Sequence, residues 1–174
     1  MKSLKTTASL AVMLLLSMFL KAQDAETMIK EFERAKAYTK EYLDANTDAG
    51  YALKPTPQMR SFAEQMLHLA DANYLFSTAA TGEKAPVSDL EKGTTDKSKA
   101  NVTKLVMDSY DYVIASIKKL TPAQMQDKIK IFGRFELTKG EAFTKDFEHQ
   151  THHRGQTTVY LRLAGVTPPQ EKLF

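Results

Sequence analysis

Three of the four histidines fall in the stretch "HQTHHRGQ", His149 to Gln156, and the fourth is His68. Imidazole titrates closest to neutral pH and is a common metal ligand, so this concentration points to chemistry. In a helix, His149 and His153 lie one turn apart and about 40 degrees apart in azimuth. Two neutral imidazoles at that spacing can converge on one metal ion. A third, from a facing helix, would complete a triangle, and His68 is the candidate. Three histidines leave one coordination position open, the arrangement of catalytic rather than structural zinc, in which a bound water is acidified. The competing reading is plainer: buried histidines are usually hydrogen-bonded core residues, and pairs at i, i+4 also arise on helix surfaces. His152 lies to one side of the pair, on an edge with Lys145 and Val159.

Four amphipathic segments must position these groups. Met28, Ile29, Phe32, Ala35, Tyr38 and Tyr42 recur at intervals of three and four, which predicts a helix over 26–45. "TDAGYALKPTPQM" interrupts it with turn formers. A second helix is expected over 61–80, opened by a Ser61/Glu64 capping box. Phe62, Met66, Leu69 and Phe76 share one side of it, while Gln65, His68, Ala72 and Leu75 share the other. The polar stretch 81–100 reads as a long loop that can hold a short helical turn and edge the site. A third helix is expected over 97–120, with Val102, Leu105, Val106, Ser109, Val113, Ile114 and Ile117 buried. Thr121 and Pro122 open a short helix. "KIKIFGRFELTKG" alternates weakly, but two short runs without further strands make a sheet improbable. The last helix runs from Gly140 to a C-cap at Gly165. Its site stripe holds Ala142, His149, His153, Gln156, Tyr160 and Leu163, apolar at both ends, and is expected to face the interior. The fold class that follows is all-α, a four-helix bundle, which builds sites from side chains on facing helices.

Composition narrows the setting. A length of 174 residues favours one domain, and 43% hydrophobic with 26% charged residues is typical of globular proteins. A net charge of +3, without a basic stripe, argues against nucleic acid. Lysines at 2 and 5, an apolar run from Ala8 to Leu20 and a small residue at Ala22 read as a signal peptide over 1–22, leaving a domain over 23–174. The run is too short to span a bilayer, so export to a periplasmic or extracellular space is expected, without stable membrane insertion. No cysteine is present, which excludes disulfides and thiolate ligands or nucleophiles.

The stretches "HQTHHRGQTTVYLRLAGVTPP" and "SFAEQMLHLADANYLF" resemble the DinB family, also described as DinB/YfiT-like metalloenzymes, over nearly the whole mature sequence. The resemblance implies a four-helix bundle, often a homodimer, with a divalent metal, zinc or nickel, held by His68, His149 and His153. Characterised relatives include transferases and isomerases that use low-molecular-weight thiols, a supply that export makes difficult. Hydrolysis by a metal-bound water is an equal expectation, with an unknown small-molecule substrate. The alternatives are a non-catalytic exported metal-binding or stress-related bundle, and a scaffold without metal. Gln156 either orients a histidine or bound water or is an ordinary buried amide. Glu64 is either a proton acceptor or a helix cap. Gly155 is expected to admit a neighbouring helix closely, and Arg154 to serve a salt bridge or interface. Tyr42 and Tyr160 line a pocket or simply fill the core.

Overall fold

The computed structural model describes residues 25–174, and the expected signal segment over 1–22 lies outside them. Helix α1 occupies 25–45. Helices α2 (Phe62–Thr81), α4 (Lys99–Lys119) and α5 (Lys139–Leu163) complete four long helices, and a short helix α3 (Leu90–Gly93) lies between α2 and α4. Capping chemistry sets the boundaries. Ser61 Oγ accepts the Glu64 amide while the Glu64 carboxylate accepts the Ser61 amide at 2.8 Å. The same reciprocal box, formed by Thr138 and Glu141, starts α5. At the far end Gly165 adopts φ 76°, and the Val166 amide reaches back to the Leu161 carbonyl at 2.8 Å, satisfying an orphan carbonyl. After Thr121 the chain makes a 3₁₀ turn at Gln124–Gln126 in place of a short α-helix.

Helix α2 packs along both α4 and α5. Helix α1 meets α5 through an edge-to-face contact of Phe32 with Phe147, with centroids 5.4 Å apart, and meets α4 through Thr39 and the Tyr110 hydroxyl at 2.8 Å. The expected inner face of α4 is buried except for Leu105, which is half-buried. Helix α5 departs from a simple amphipathic pattern. Ala142, Phe143, Tyr160 and Leu161 bury its ends, while Asp146, Gln150, His153, Arg154 and Thr157 are buried along its middle. Leu163, expected on the inner stripe, is 57% exposed, while Tyr160 and Leu161 of the same turn are buried.

Strands β1 (Lys128–Ile131) and β2 (Phe135–Thr138) form an antiparallel hairpin between α4 and α5, which corrects the all-α expectation. A two-stranded ribbon is marginal by itself. This one docks on the bundle: Ile131 is buried, and Ile129 and Leu137 pack against the core. Phe132 and Gly133 both take positive φ, 53° and 69°, and the Arg134 amide bonds the Ile131 carbonyl at 3.2 Å. The register pairs Ile131 with Phe135, so the loop holds three residues, two of them at the positive φ that Asn and Gly accept most readily.

Two residues of α5 yield predictions. Gly155, expected to admit a neighbouring helix, is exposed, and a Cβ built there would meet nothing within 4 Å. It carries only the propensity cost of glycine, so Gly155→Ala is expected to stabilise the fold by about 1 kcal/mol, seen as a rise in Tm. Asp146 is fully buried, and neither carboxylate oxygen has a hydrogen-bond partner. Burial pushes its carboxyl well above the usual carboxylate range. The folded state therefore holds a proton that the unfolded state releases near pH 4, and stability falls as pH rises above that value. Asp146→Asn is expected to remove this loss, with a gain of about 1–3 kcal/mol at pH 8 that vanishes by pH 4, checked by melts at both values.

Candidate metal centre

Helix α5 presents His149 and His153 from successive turns, and α2 presents His68 across the gap between the helices. One ring nitrogen from each of the three lies within 4.8 Å of the others. Ring centroids are 4.2 Å apart for His149 and His153, 4.6 Å for His68 and His153, and 5.2 Å for His68 and His149. His152 is exposed and stands outside the triangle.

His68 is held by a residue that sequence spacing does not reveal. Its Nδ1 meets Glu91 Oε2 at 2.8 Å, and Glu91 accepts from Arg60 Nε at 2.7 Å. Burial alone would raise the Glu91 carboxyl, but the hydrogen bond and charge of Arg60, followed by His68, hold it below the usual carboxylate range. The ionised carboxylate accepts Nδ1–H and leaves Nε2 of His68 with a free lone pair. Asp71 arranges this contact, because its two carboxylate oxygens accept the amides of Leu90 and Glu91 at 2.7 and 2.9 Å. The loop expected at the edge of the site thus contributes Glu91 through α3. Glu91→Ala is expected to weaken divalent-ion binding about 10–100-fold, measured by competition with a chelating dye, because His68 loses its orientation and Arg60 its neutralising partner.

His153 is held by Gln65, whose amide nitrogen lies 2.9 Å from Nδ1. Gln65 also bonds Gln156, and Gln156 meets His152 Nε2 at 2.7 Å. Turning both amides by 180° preserves every contact in this chain. Gln65 Oε1 then accepts Nδ1–H of His153 and frees Nε2. Gln65 lies three residues before His68 on the same stripe of α2, a signal available in the sequence. Gln156 therefore reaches His153 only through Gln65.

Burial, followed by the charge of His68, lowers His149 to about 4, and burial, followed by the charge of His149, lowers His153 to about 3. Both are neutral at physiological pH, the form that ligates metals. His149 Nδ1 is buried without a hydrogen-bond partner, a state that coordination would relieve. The donor set and its protonation therefore fit a late first-row divalent ion.

The remaining candidates are placed as follows. The Glu64 carboxylate serves the α2 cap and pairs with Lys97 at 2.9 Å and Lys54 at 3.2 Å. The Ser61 amide and then Lys97 draw its carboxyl down to about 2, which makes it a poor proton acceptor. Arg154 is buried, donates to Gln150 at 2.8 Å and lies 4.5 Å over the Tyr38 ring. Among the described residues it has no carboxylate partner, so the expected salt bridge is replaced by neutral acceptors and an aromatic face. Tyr160 is buried, donates to the Arg60 carbonyl at 2.9 Å and borders a polar recess with Arg60, Gln65 and Gln156. Tyr42 is buried too and bonds Thr158 at 3.0 Å on the opposite side of α5.

Four long helices with an interior three-imidazole cluster define a class of helical bundle equipped to hold a metal. The family model of the DinB family matches residues 18–173, and the chain belongs to that family. It is 26% identical over 153 residues to the YrdA protein of Bacillus subtilis (strain 168), covering 84% of this chain and 87% of YrdA. Its fold is similar to a DinB-like protein from Bacillus cereus ATCC 10987, with TM-score 0.74 and 20% identity, covering 84% of this chain and 97% of that one. It is also similar to YfiT from Bacillus subtilis, with TM-score 0.63 and 19% identity, covering 81% and 87%. That protein is described as a probable metal-dependent hydrolase with an unusual four-helix bundle topology.

Proposed function

We propose that this protein is a divalent-metal-dependent enzyme, a hydrolase in preference to a transferase, with His68, His149 and His153 as ligands to zinc or nickel. The observation that carries this reading is the convergence of three imidazoles, two of them held neutral by burial, beside an open recess that His149 itself borders. An open side is what a catalytic site requires and a structural one lacks. The description of YfiT supports the same reading.

A divalent ion held there supplies a Lewis acid that polarises a carbonyl and makes water a nucleophile near neutral pH. The chain's own residues prepare the position. Glu91 holds the Nδ1 proton of His68, and Gln65 fixes the ring of His153. Arg60 neutralises Glu91, so little uncompensated negative charge stands beside the ligands. In the hydrolysis, the oxygen of water joins the acyl carbon, the bond to the leaving oxygen or nitrogen breaks, and the leaving group takes up a proton. The lysines and apolar run within residues 1–22 support a reading in which the protein is exported, and a thiol cosubstrate is scarce outside the cytoplasm. That setting favours water as the acceptor.

Elemental analysis of the untagged protein tests the reading, with about one divalent ion per chain expected from one three-histidine site. It is paired with an ester and amide hydrolysis screen of metal-loaded and chelator-stripped protein. Activity that disappears on stripping and returns with the ion supports an enzyme. A full complement of ion without any hydrolysis supports the non-catalytic metal-binding bundle.

A further inference from the structure

On the far side of His149 from the polar recess lies a second recess of about 550 Å³, between the hairpin and the bundle. Its walls are Phe76 of α2, Ile131, Phe132, Phe135 and Leu137 of the hairpin, and the ring of His149 itself. Phe76 and His149 have centroids 6.4 Å apart, so the carbon-lined space begins at the histidine cluster. The polar part of the rim comes from Lys145 and Glu148, paired with each other at 2.8 Å, from Glu136 of the hairpin and from His152. Phe132 is 65% exposed and Phe135 52%, an unfavourable placement for two large apolar rings. Phe132 also holds φ at 53°, a left-handed conformation that bulky residues seldom adopt. Asparagine would suit that turn better both in backbone and in exposure. A strained, solvent-facing aromatic lining the same recess as His149 is placed to contact a ligand there.

Resting on the metal-dependent reading above, we propose that this recess receives the apolar portion, alkyl or aryl, of the substrate acted on at the histidine cluster. The two sides of the cluster differ in kind. The hairpin side offers aromatic and aliphatic carbon, while the other side offers Arg60, Gln65, Gln156 and the neighbourhood of Tyr160. The substrate class is therefore amphiphilic: a compound whose reacting group separates an apolar chain or ring from a hydrogen-bonding head. A volume of about 550 Å³ falls in the usual range for small-molecule sites. Continuity with the histidines assigns the recess to a small-molecule group in preference to a second protein copy.

The test is a calorimetric titration of metal-loaded protein with straight-chain hydroxamates, from acetohydroxamate to octanohydroxamate. Affinity is expected to rise about three- to fourfold for each methylene buried. Phe135→Thr preserves strand propensity, and Phe132→Asn preserves the turn. Each variant is expected to flatten the chain-length series while leaving acetohydroxamate affinity and ion content unchanged. A flat series in the wild type, with acetohydroxamate still bound, overturns the proposal and leaves the metal reading intact. If no ion is held, 1-alkanols from butanol to octanol replace the hydroxamates. A chain-length dependence that Phe135→Thr removes then supports the recess while the metal reading falls, and a flat alkanol series overturns the proposal as well. Sedimentation of the same proteins covers the remaining occupant: a dimer that Phe135→Thr dissociates, with no chain-length dependence, assigns the face to a second copy and overturns the proposal.

Discussion

His153→Ala is expected to lower affinity for a divalent ion by about 10²–10³-fold, since structural zinc sites with four ligands bind with about 10–16 kcal/mol and each ligand carries roughly a quarter of that. His153 is central to the cluster: its ring lies 4.2 Å from His149 and 4.6 Å from His68. Removing it leaves His149 and His68 facing each other across the widest of the three separations, 5.2 Å. A histidine acting only as a core residue would behave differently, with a loss of stability and no change in ion binding. Equilibrium competition against a chelating dye, run beside thermal melts of the metal-free proteins, separates the two. Metal-free wild type and variant should melt within a few degrees of each other. With ion at about one hundred times the wild-type Kd, the wild type alone should gain about 2.7 kcal/mol.

Phe62→Ala is expected to cost about 3–5 kcal/mol of stability, because the site is fully enclosed and cannot collapse around the missing ring. Phe62 has no exposed surface and packs edge-on against Tyr51 and Tyr160, with centroids at 4.9 and 6.4 Å. For a protein of this size the loss corresponds to about 6–20 °C in Tm, as read by circular dichroism. The effect should also reach the cluster. Tyr160, which Phe62 supports, donates to the Arg60 carbonyl, and Arg60 in turn steadies Glu91 against His68. Ion affinity is therefore expected to weaken in Phe62→Ala, by less than in His153→Ala.

The histidine cluster was legible because its logic is local. His149 and His153 share a helix, so their relation follows from helical geometry alone, and His68 sits on a recognisable stripe of α2. The residues that steady the cluster were harder to read for different reasons. Gln65 was on the same stripe as His68, but a glutamine gives no sign of which group it will meet. Glu91 is 23 residues from its histidine, and its position depends on Asp71 accepting two amides of α3, a tertiary arrangement with no sequence period. The marginality of a lone ribbon argues against a hairpin in this sequence, a rule that fails when Ile129, Ile131 and Leu137 have a bundle to pack against. At Gly155 residue type alone misleads, since a small residue admits a neighbour only where one is present. The middle of α5 resisted periodicity altogether, because Gln150, Arg154 and Thr157 are buried for their hydrogen bonds and not for their carbon.

Two of the three imidazoles ride on one rigid rod, while the third projects from another. The spacing of His149 and His153 is therefore fixed by helical pitch, and the bite of the triangle has essentially one adjustable dimension, the separation of α2 from α5. That separation is set by the packing of α2 along α5 at positions other than the three histidines. Ions of different radius ask for different bites, so under the metal-dependent reading proposed above, metal preference is written partly in the volume of the hydrocarbon interior, and a methyl group added between the two rods would act on coordination as a shim acts on a jaw.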